Sequence, residues 1–582
     1  MRQFLILLTL LLATPVCGHA EIAESSVWRF KPGFLGELVQ AVPKILHHQD
    51  PATGRFGSGV WIPSDQNVIY PLAAAWALKD SSNPYYHDPK LLEAIMQGGD
   101  LLAQVQDKDG RWVFRKKDNS TWGLHFNPWV YSRWVRAYSL IGGAMPAERR
   151  SRWQKALELG YSGIEKHELS RVHNIPSHHA MGLYVAGKAL DHPEWCAKAS
   201  AFLVRVAGGQ DSNGFWSEHL GPVVVYNFVY VDALGTYYAL SQDRKVLPAL
   251  ERAARFHANF IYPDGSNIET IDERNPYSKR CSLPGVGFTF CPEGRGYLRL
   301  QWNRLKKQQL ADDPDTLASL LLYGEEGPVV ASPPSLSRDS VFVTGDGKAS
   351  VVRKDSWCAC LSAYSCPVYP SRWIEDRQNL VSLFHEKTGL ILGGGNTKLQ
   401  PLWSTFTVGD PGRLKHRPGD ENPDFSQPAG LLHLPSKAVL ESNGQQLMLE
   451  YGGTACRVAL DLSKPDRAQL TLVANSPTQA APVAAHLTFL PVMGKSWRTA
   501  SGKTGQLGAK PFALTAEQAG AWFEHNGWRV TLPAKSEVNW PVLPHNPYRK
   551  DGRAEPQEGR ILLTLPFSGQ VTTQDIVLSI IK

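Results

Sequence analysis

In the first half of the chain, apolar residues return at the spacing of a helix face. The stretches "NVIYPLAAAWAL", "KLLEAIMQGGDLLAQV", "PWVYSRWVRAYSLIG", "RWQKALELGY", "EWCAKASAFLVRVA" and "VLPALERAARFHANFI" each carry such a stripe. Between them a short motif returns: "PATGRFG" with Gly54, "DKDGRWVF" with Gly110, "DSNGFWSE" with Gly214 and "YPDGSNIE" with Gly265. These glycines stand about 56, 104 and 51 residues apart, a period near 52 with one degraded copy, for which "GYSGIEKHE" is the candidate. One period has the length of a helical hairpin, and Asp or Asn before Gly reads as a tight turn opening a short extended segment. Five or six hairpins packed in a ring bury every stripe, so the pattern predicts an N-terminal (α/α) toroid over residues 21–335.

Past "GPVVASPPSLSRDS" the period changes. Runs such as "SVFVTGDG", "KASVVRKDSWCACLSAYS", "QLMLEYGG", "QLTLVAN", "HLTFLPV", "WRVTLPA" and "RILLTLPFS" are short, strand-like and broken by Gly, Pro, Asn and Asp. They predict an antiparallel β-sandwich domain over residues 336–582, with the boundary falling near 325–340.

Composition adds a location and a partner class. "MRQFLILLTLLLATPVCGHA", residues 1–20, joins one Arg to an apolar core and a small-residue end, the layout of a cleaved signal peptide, and predicts a secreted or periplasmic protein. No later stretch has the unbroken apolar length of a membrane span. The net charge of +7, spread without basic runs, suits an anionic polysaccharide and argues against nucleic acid. Cys17 belongs to the leader. Of the other cysteines, Cys281 and Cys291 are spaced to close a loop, and Cys358, Cys360 and Cys366 in "CACLSAYSC" to form a disulfide or hold a metal. No His stands at ligand spacing beside them, so neither a metal nor a cofactor is expected.

The chemistry concentrates at two predicted helix entrances. In "RVHNIPSHHAMG", Pro176 suits the first helical position, which puts Asn174 just outside the helix and His178 and His179 in its first turn. In "GPVVVYNFVY", Pro222 opens a second helix carrying Tyr226 and Tyr230 four apart on one face. Helix N-termini present unpaired N–H groups and a positive dipole end, so two facing entrances favour an anionic group between them. Asn, His and Tyr around a carboxylate suit β-elimination on a uronate sugar. The C5 proton is weakly acidic, so the charge developing on the carboxylate needs an Asn or Arg to neutralise it. His suits the base, and Tyr can protonate the departing O4 or serve as base and acid together. Arg274, beside Tyr277 in "NIETIDERNPYSKR", is a candidate bidentate carboxylate clamp. "WGLHFNPWVYSRW" offers His125, Asn127 and Trp129 as a sugar subsite. His178 and His179 are adjacent and project about 100° apart on a helix, a poor arrangement for one metal ion.

These segments carry a resemblance. "HNIPSHHAMGLYVAGKAL" resembles the Asn-Asn-His and Ala-Gly helix segment of heparinase II/III-like polysaccharide lyases, and "GFWSEHLGPVVVYNFVY" is similar to their segment of Asp-Gly, Glu, Ser-Pro and Tyr-His. That family, like the related alginate and glucuronan lyases, couples an α/α toroid to an antiparallel β-sandwich. The resemblance implies Asn174 as carboxylate neutraliser, His178 or His179 as base or neutralising partner, and Tyr226 as general acid with Tyr230 its rival. Asn227 stands where a His often follows the Tyr. In "IEDRQNLVSLFHEKTGLILGGG" the place of the family's sandwich His is taken by Arg377, Gln378 and Asn379, which points to a Tyr-centred mechanism with Arg377 and Asn379 as substrate contacts from the sandwich side.

Other classes fit the same architecture. A glycoside hydrolase needs two carboxylates flanking the bond, for which Asp65, Glu218, Asp232 and Asp272 are available and Glu218 is best placed. A uronate epimerase and a non-catalytic acidic-glycan-binding protein are the remaining alternatives.

Overall fold

A computed structural model describes residues 27–281, 283–309, 313–330, 339–417, 419–475, 481–569 and 572–581. The signal-like segment and Cys17 lie outside them. The first half is helical: α1 (Lys31–Leu46), α2 (Ile69–Ala77), α3 (Pro89–Val105), α4 (Pro128–Ile141), α5 (Ala147–His167), α6 (Asn174–Ala189), α7 (Pro193–Gly208), α8 (Val224–Ser241), α9 (Leu247–Asn259), α10 (Pro292–Gln308) and α11 (Pro314–Tyr323). Helix α2 packs on α4, α4 on α6, α6 on α8, α8 on α11, and α11 returns to α2, which closes an inner ring. Helices α3, α5, α7 and α9 lean on that ring from outside. The difference is legible in burial. In α6, 13 of 16 residues are buried, as befits a helix with neighbours on every side, whereas α9 buries only one face. Three helices escape the sequence pattern: α1 contains Pro43, α10 is so rich in Arg, Lys and Gln that its stripe is diluted, and α11 is only ten residues long.

All four motif glycines adopt the left-handed conformation, with φ of 72°, 86°, 97° and 88° at Gly54, Gly110, Gly214 and Gly265. Three of the turns share one bonding pattern, seen in Gly110 N–H donating to Asp107 O and Asp107 N–H to Arg111 O, in Gly214 with Asp211 and Asp211 with Phe215, and in Gly265 with Tyr262 and Tyr262 with Ser266; the turn at Gly54 is one residue longer, with Gly54 N–H donating to Asp50 O. The expected degraded copy is not a turn. Helix α5 runs unbroken through "GYSGI", and its Gly160 serves packing instead, since a Cβ there would fall 1.9 Å from the Tyr131 hydroxyl.

From Ser340 onward the chain is β-structure in two antiparallel sheets, of eleven and nine strands, with an apolar core between them. The strand Trp357–Ser362 is buried at every position. Its alternate residues Trp357, Ala359 and Leu361 enter the sandwich core. Cys358 and Cys360 point the other way, into a second core shared with Phe215, Val224, Phe256, Phe260 and Ile271 of the toroid. The cysteine expectations are corrected here. Cys281, Cys291, Cys358, Cys360 and Cys366 are all free thiols, and the spacing of "CACLSAYSC" is that of a strand with two apolar faces rather than of a crosslink.

Two outcomes are expected. Gly214→Ala puts a Cβ 2.3 Å from Arg252 O on a backbone with φ of 97°, and should destabilise the protein by about 2–3 kcal/mol in urea unfolding. A reductant should leave the Tm unchanged, since no described cysteine is crosslinked.

Candidate active site

The two helix entrances meet. Helix α6 starts at Asn174 with His173 as its N-cap, two residues earlier than Pro176 suggests; the third helical N–H has no partner in any helix, so Pro is tolerated there too. Asn174 is buried, its side-chain oxygen accepts from Ile175 N at 2.5 Å, and its amide nitrogen donates to no described residue. Helix α8 starts at Val224, which leaves Pro222 outside it. Glu218, in the loop before α8, joins the two: its Oε2 lies 3.0 Å from His173 Nε2, a close contact without hydrogen-bond alignment, and its Oε1 accepts from the Tyr230 hydroxyl at 2.7 Å. Tyr230 is fully buried and stacked on Trp216. It braces Glu218, which leaves Tyr226, one turn earlier and half-buried, as the tyrosine facing outward.

Tyr226 sits in a cationic and aromatic cage. The Arg274 guanidinium lies 5.0 Å from its ring centre and 5.4 Å from that of Trp373, and the Tyr226 hydroxyl is 2.9 Å from the hydroxyl of Tyr548. Burial and the Tyr548 hydroxyl push the Tyr226 phenol above the usual range, while Arg274 pulls it back. The phenol is therefore protonated at neutral pH and able to donate.

A residue passed over in the sequence completes the group. His219 follows Glu218, and its Nδ1 lies 2.9 Å from Glu273 Oε1. Burial raises the Glu273 carboxyl, but the His219 bond, Arg377 and the Leu220 N–H outweigh it and hold the group below its ordinary value. Because Glu273 is a carboxylate it can only accept, so His219 Nδ1 carries a proton, and its Nε2 makes no hydrogen bond to a described residue. The His173 and His219 rings stand edge to face at 5.5 Å. An acidic residue beside a His, just ahead of Gly-Pro and the Tyr helix, is the signal that would have found it. Trp373 and Tyr548 carry no such signal, because domain docking brings them in from distant sequence.

Other expected site residues lie apart from this group. His178 is buried against α4, its Nε2 2.8 Å from Ser132 Oγ and accepting from Arg133 at 3.1 Å; burial and both nearby arginines push its pKa well down. His179 is equally buried, with its pKa pushed down to about 3 by burial and by His125. Asn127 caps α4 by accepting from Trp129 N and Val130 N, and Trp129 packs on His178. Asn227 accepts from Trp216 N. Tyr277 bonds to Ser266 beyond the cage. Arg377, expected to touch substrate, is 1% exposed and donates to Ile271 O, Pro222 O and Glu273. Asn379 is buried in the sandwich, donating to Thr488. Both are framework. The Arg377 terminal nitrogens bond to the toroid segments that present His219, and the Asn379 amide to the sheet beneath them. Asp272 accepts from Val224 N, Arg274 N and Asn275 N, so one carboxylate ties the start of α8 to the turn bearing Arg274; burial raises its pKa to about 6.

No protein-family model matches the chain, and no curated protein matches it in sequence. Among solved structures it is similar to a xanthan lyase from Paenibacillus, over 95% of this chain and 58% of that one, at 12% identity and a TM-score of 0.50. The chain has that protein's fold. It thus joins an α/α toroid to an antiparallel β-sandwich, and it spans 58% of the length of the xanthan lyase. Heparinase III is similar over 97% of this chain and 86% of that one, at 11% identity and a TM-score of 0.46. A heparan sulfate lyase from Pedobacter heparinus is similar over 96% and 84%, at 11% and 0.43.

Glu273→Gln is expected to destabilise the protein by about 1–3 kcal/mol at pH 7, through the lost charge-assisted bonds to His219 and Arg377. The lowered carboxyl stabilises the fold above its unfolded pKa, so the gap between variant and parent should close as pH falls below about 4.5. Unfolding curves across that range check both.

Proposed function

We propose that this protein is a polysaccharide lyase that cleaves a uronic-acid-containing polysaccharide by β-elimination. The observation that carries this reading is the junction of the two helix entrances through Glu218, which sets His173, beside Asn174 at the start of α6, against the loop that carries His219 and the helix that carries Tyr226. In this reading Asn174, with its unpartnered amide nitrogen, and Arg274 meet the uronate carboxylate and stabilise the charge that grows there as C5 loses its proton. His219 Nε2 takes that proton, with Glu273 offsetting the charge on the ring. Tyr226 gives its proton to the departing O4, leaving a C4–C5 double bond on one product and a hydroxyl on the other. The Arg274 guanidinium, already over the Tyr226 ring, lowers the cost of the phenolate that results.

The hydrolase alternative finds less support. Of its candidate carboxylates, Asp65 is paired with Lys117, Glu218 holds His173 and Tyr230, and Asp272 is bonded to three backbone N–H groups. Asp232 lies near Arg136 and Arg133 in the toroid. Glu218 and Asp272 are buried as well, so neither is free to flank a glycosidic bond. The neighbours' names extend the substrate panel to xanthan and heparan sulfate. The leader-like residues 1–20 support an exported location, which N-terminal sequencing of the mature protein would test.

Digestion of xanthan, heparan sulfate, alginate, glucuronan, hyaluronan and pectate, followed by ultraviolet absorbance, should reveal an unsaturated product with at least one polymer. Tyr226→Phe should lower that rate about 10²–10⁴-fold, and Asn174→Ala about 10²–10³-fold. Tyr230→Phe should cost less, because it loosens Glu218 without removing a proton donor. Reducing ends accumulating without absorbance would overturn the lyase reading in favour of hydrolysis.

A further inference from the structure

We propose that this protein attacks its polymer from a chain end and not at internal bonds, because the space beside Tyr226 is walled on one side. This rests on the lyase reading above. The wall is an antiparallel hairpin of the toroid, Trp112–Arg115 with Thr121–His125. Lys117, in its turn, is anchored back to the toroid through Asp65 and the carbonyls of Ser58 and Val60. From the same turn Lys116 crosses to the sandwich and donates to the carbonyl of Tyr548. Trp122 meets Trp373 with ring centres 5.3 Å apart, and the Arg372 guanidinium lies 5.4 Å from the Trp122 ring. Arg372 is itself tied to the sandwich, donating to Glu421 O at 2.7 Å and Lys550 O at 3.0 Å.

The two sandwich aromatics therefore face both ways. Trp373 meets both Trp122 and Arg274; Tyr548 meets both Lys116, through its carbonyl, and the Tyr226 hydroxyl. Together they make an arch from the hairpin to the reacting residues. A polymer lying across the cleft, as cleavage at an internal bond requires, would have to break both the Lys116 and the Trp122 contacts. A chain end would not.

Beyond Tyr548 there is room to receive that end. Tyr548 also lines a cavity of about 900 Å³ with Glu375, Tyr277, Met493 and His545. Glu375 Oε2 and His545 Nε2 are buried there without a hydrogen-bond partner, and both residues are at least nine-tenths buried. Unmet polar atoms beside aromatic rings suit the hydroxyls and faces of a sugar. The structure assigns this cavity as the seat of the terminal saccharide, next to the uronate position at Arg274.

The test uses the full chain on high-molecular-mass hyaluronan, alginate and xanthan, with products sized from the earliest turnover and viscosity followed against absorbance. The expected result is a single small unsaturated product from the start, with viscosity falling only in proportion to bonds cleaved. Lys116→Ala combined with Trp122→Ala should open the arch, giving mixed product lengths and a several-fold faster viscosity loss per bond. Met493→Trp, a change at a 39% exposed residue, should fill the cavity and raise KM several-fold while kcat changes little. A broad ladder of products from the parent protein, with absorbance rising, would overturn end action and leave the lyase reading standing. A single product from the parent that stays the only product in the double variant would overturn the arch as its cause. An unchanged KM in Met493→Trp would overturn the cavity as the saccharide seat. Absorbance with none of these polymers, nor with the wider panel, would overturn the lyase reading and this inference with it.

Discussion

The Arg377 guanidinium has lost its water, and most of the site's geometry follows from how that loss is made good. A buried charge needs partners, and those it finds are the carbonyls of Pro222 and Ile271 and the carboxylate of Glu273. All three belong to the toroid, whereas Arg377 belongs to the sandwich. One side chain therefore fixes the loop before α8, orients Glu273 toward His219 and joins the two domains. Gly221 shows how tight the fit is. It passes at φ of 149°, and a Cβ there would stand 2.7 Å from the guanidinium. Any other residue at that point would push the arginine off the carbonyls that replace its solvent.

The toroid depends on buried polar contacts in a second way. Arg133 pairs with Asp315, while Arg136 donates to Ser132 O and Ser319 Oγ and lies 4.1 Å over the Tyr70 ring. Tyr70 in turn bonds to Ser319. The Arg133–Asp315, Arg136–Ser319 and Tyr70–Ser319 contacts run from α4 to α11 and from α11 to α2, across sequence separations of 182 to 249 residues. Buried ion pairs add little net stability, because desolvation cancels much of their attraction, but a mispaired ring would leave each of these groups alone in an apolar interior. They set which helix closes the ring. His178 belongs to this centre, which is why a histidine at a promising helix entrance is consumed by the scaffold.

Much of this architecture was legible in the sequence. Helix stripes, glycine turns and the change to alternating strands are local patterns, and they gave the order and type of the elements. The turn chemistry was legible because only a left-handed glycine closes such a turn easily, and all four glycines obey it. The candidate site was half legible. Asn174, Tyr226 and Arg274 sit at helix starts or turns, where local sequence speaks. Which face a helical histidine presents depends on its neighbours in the ring, so His178 and His179 read as available and are not, and His219 on its loop went unseen. Arg377 and Asn379 show the same limit in the sandwich: polar residues in a strand-like run look like a surface until a second domain covers them. Trp373 and Tyr548 needed the docking itself.

The strand Trp357–Ser362 has a consequence for how the molecule is made. One of its faces has no partner within the sandwich; its cover is the surface of Phe215, Phe256, Phe260 and Ile271. Synthesis begins at the N-terminus, so that surface exists before the strand emerges, and the toroid can act as the mould on which the larger sheet is laid down. Until the sheet settles there, Cys358 and Cys360 are open to any oxidant. Once it has settled, burial keeps them as thiols without help from the surroundings, and each raised thiol pKa keeps the reactive thiolate scarce. For this chain, docking of the domains and protection of its sulfur are one event.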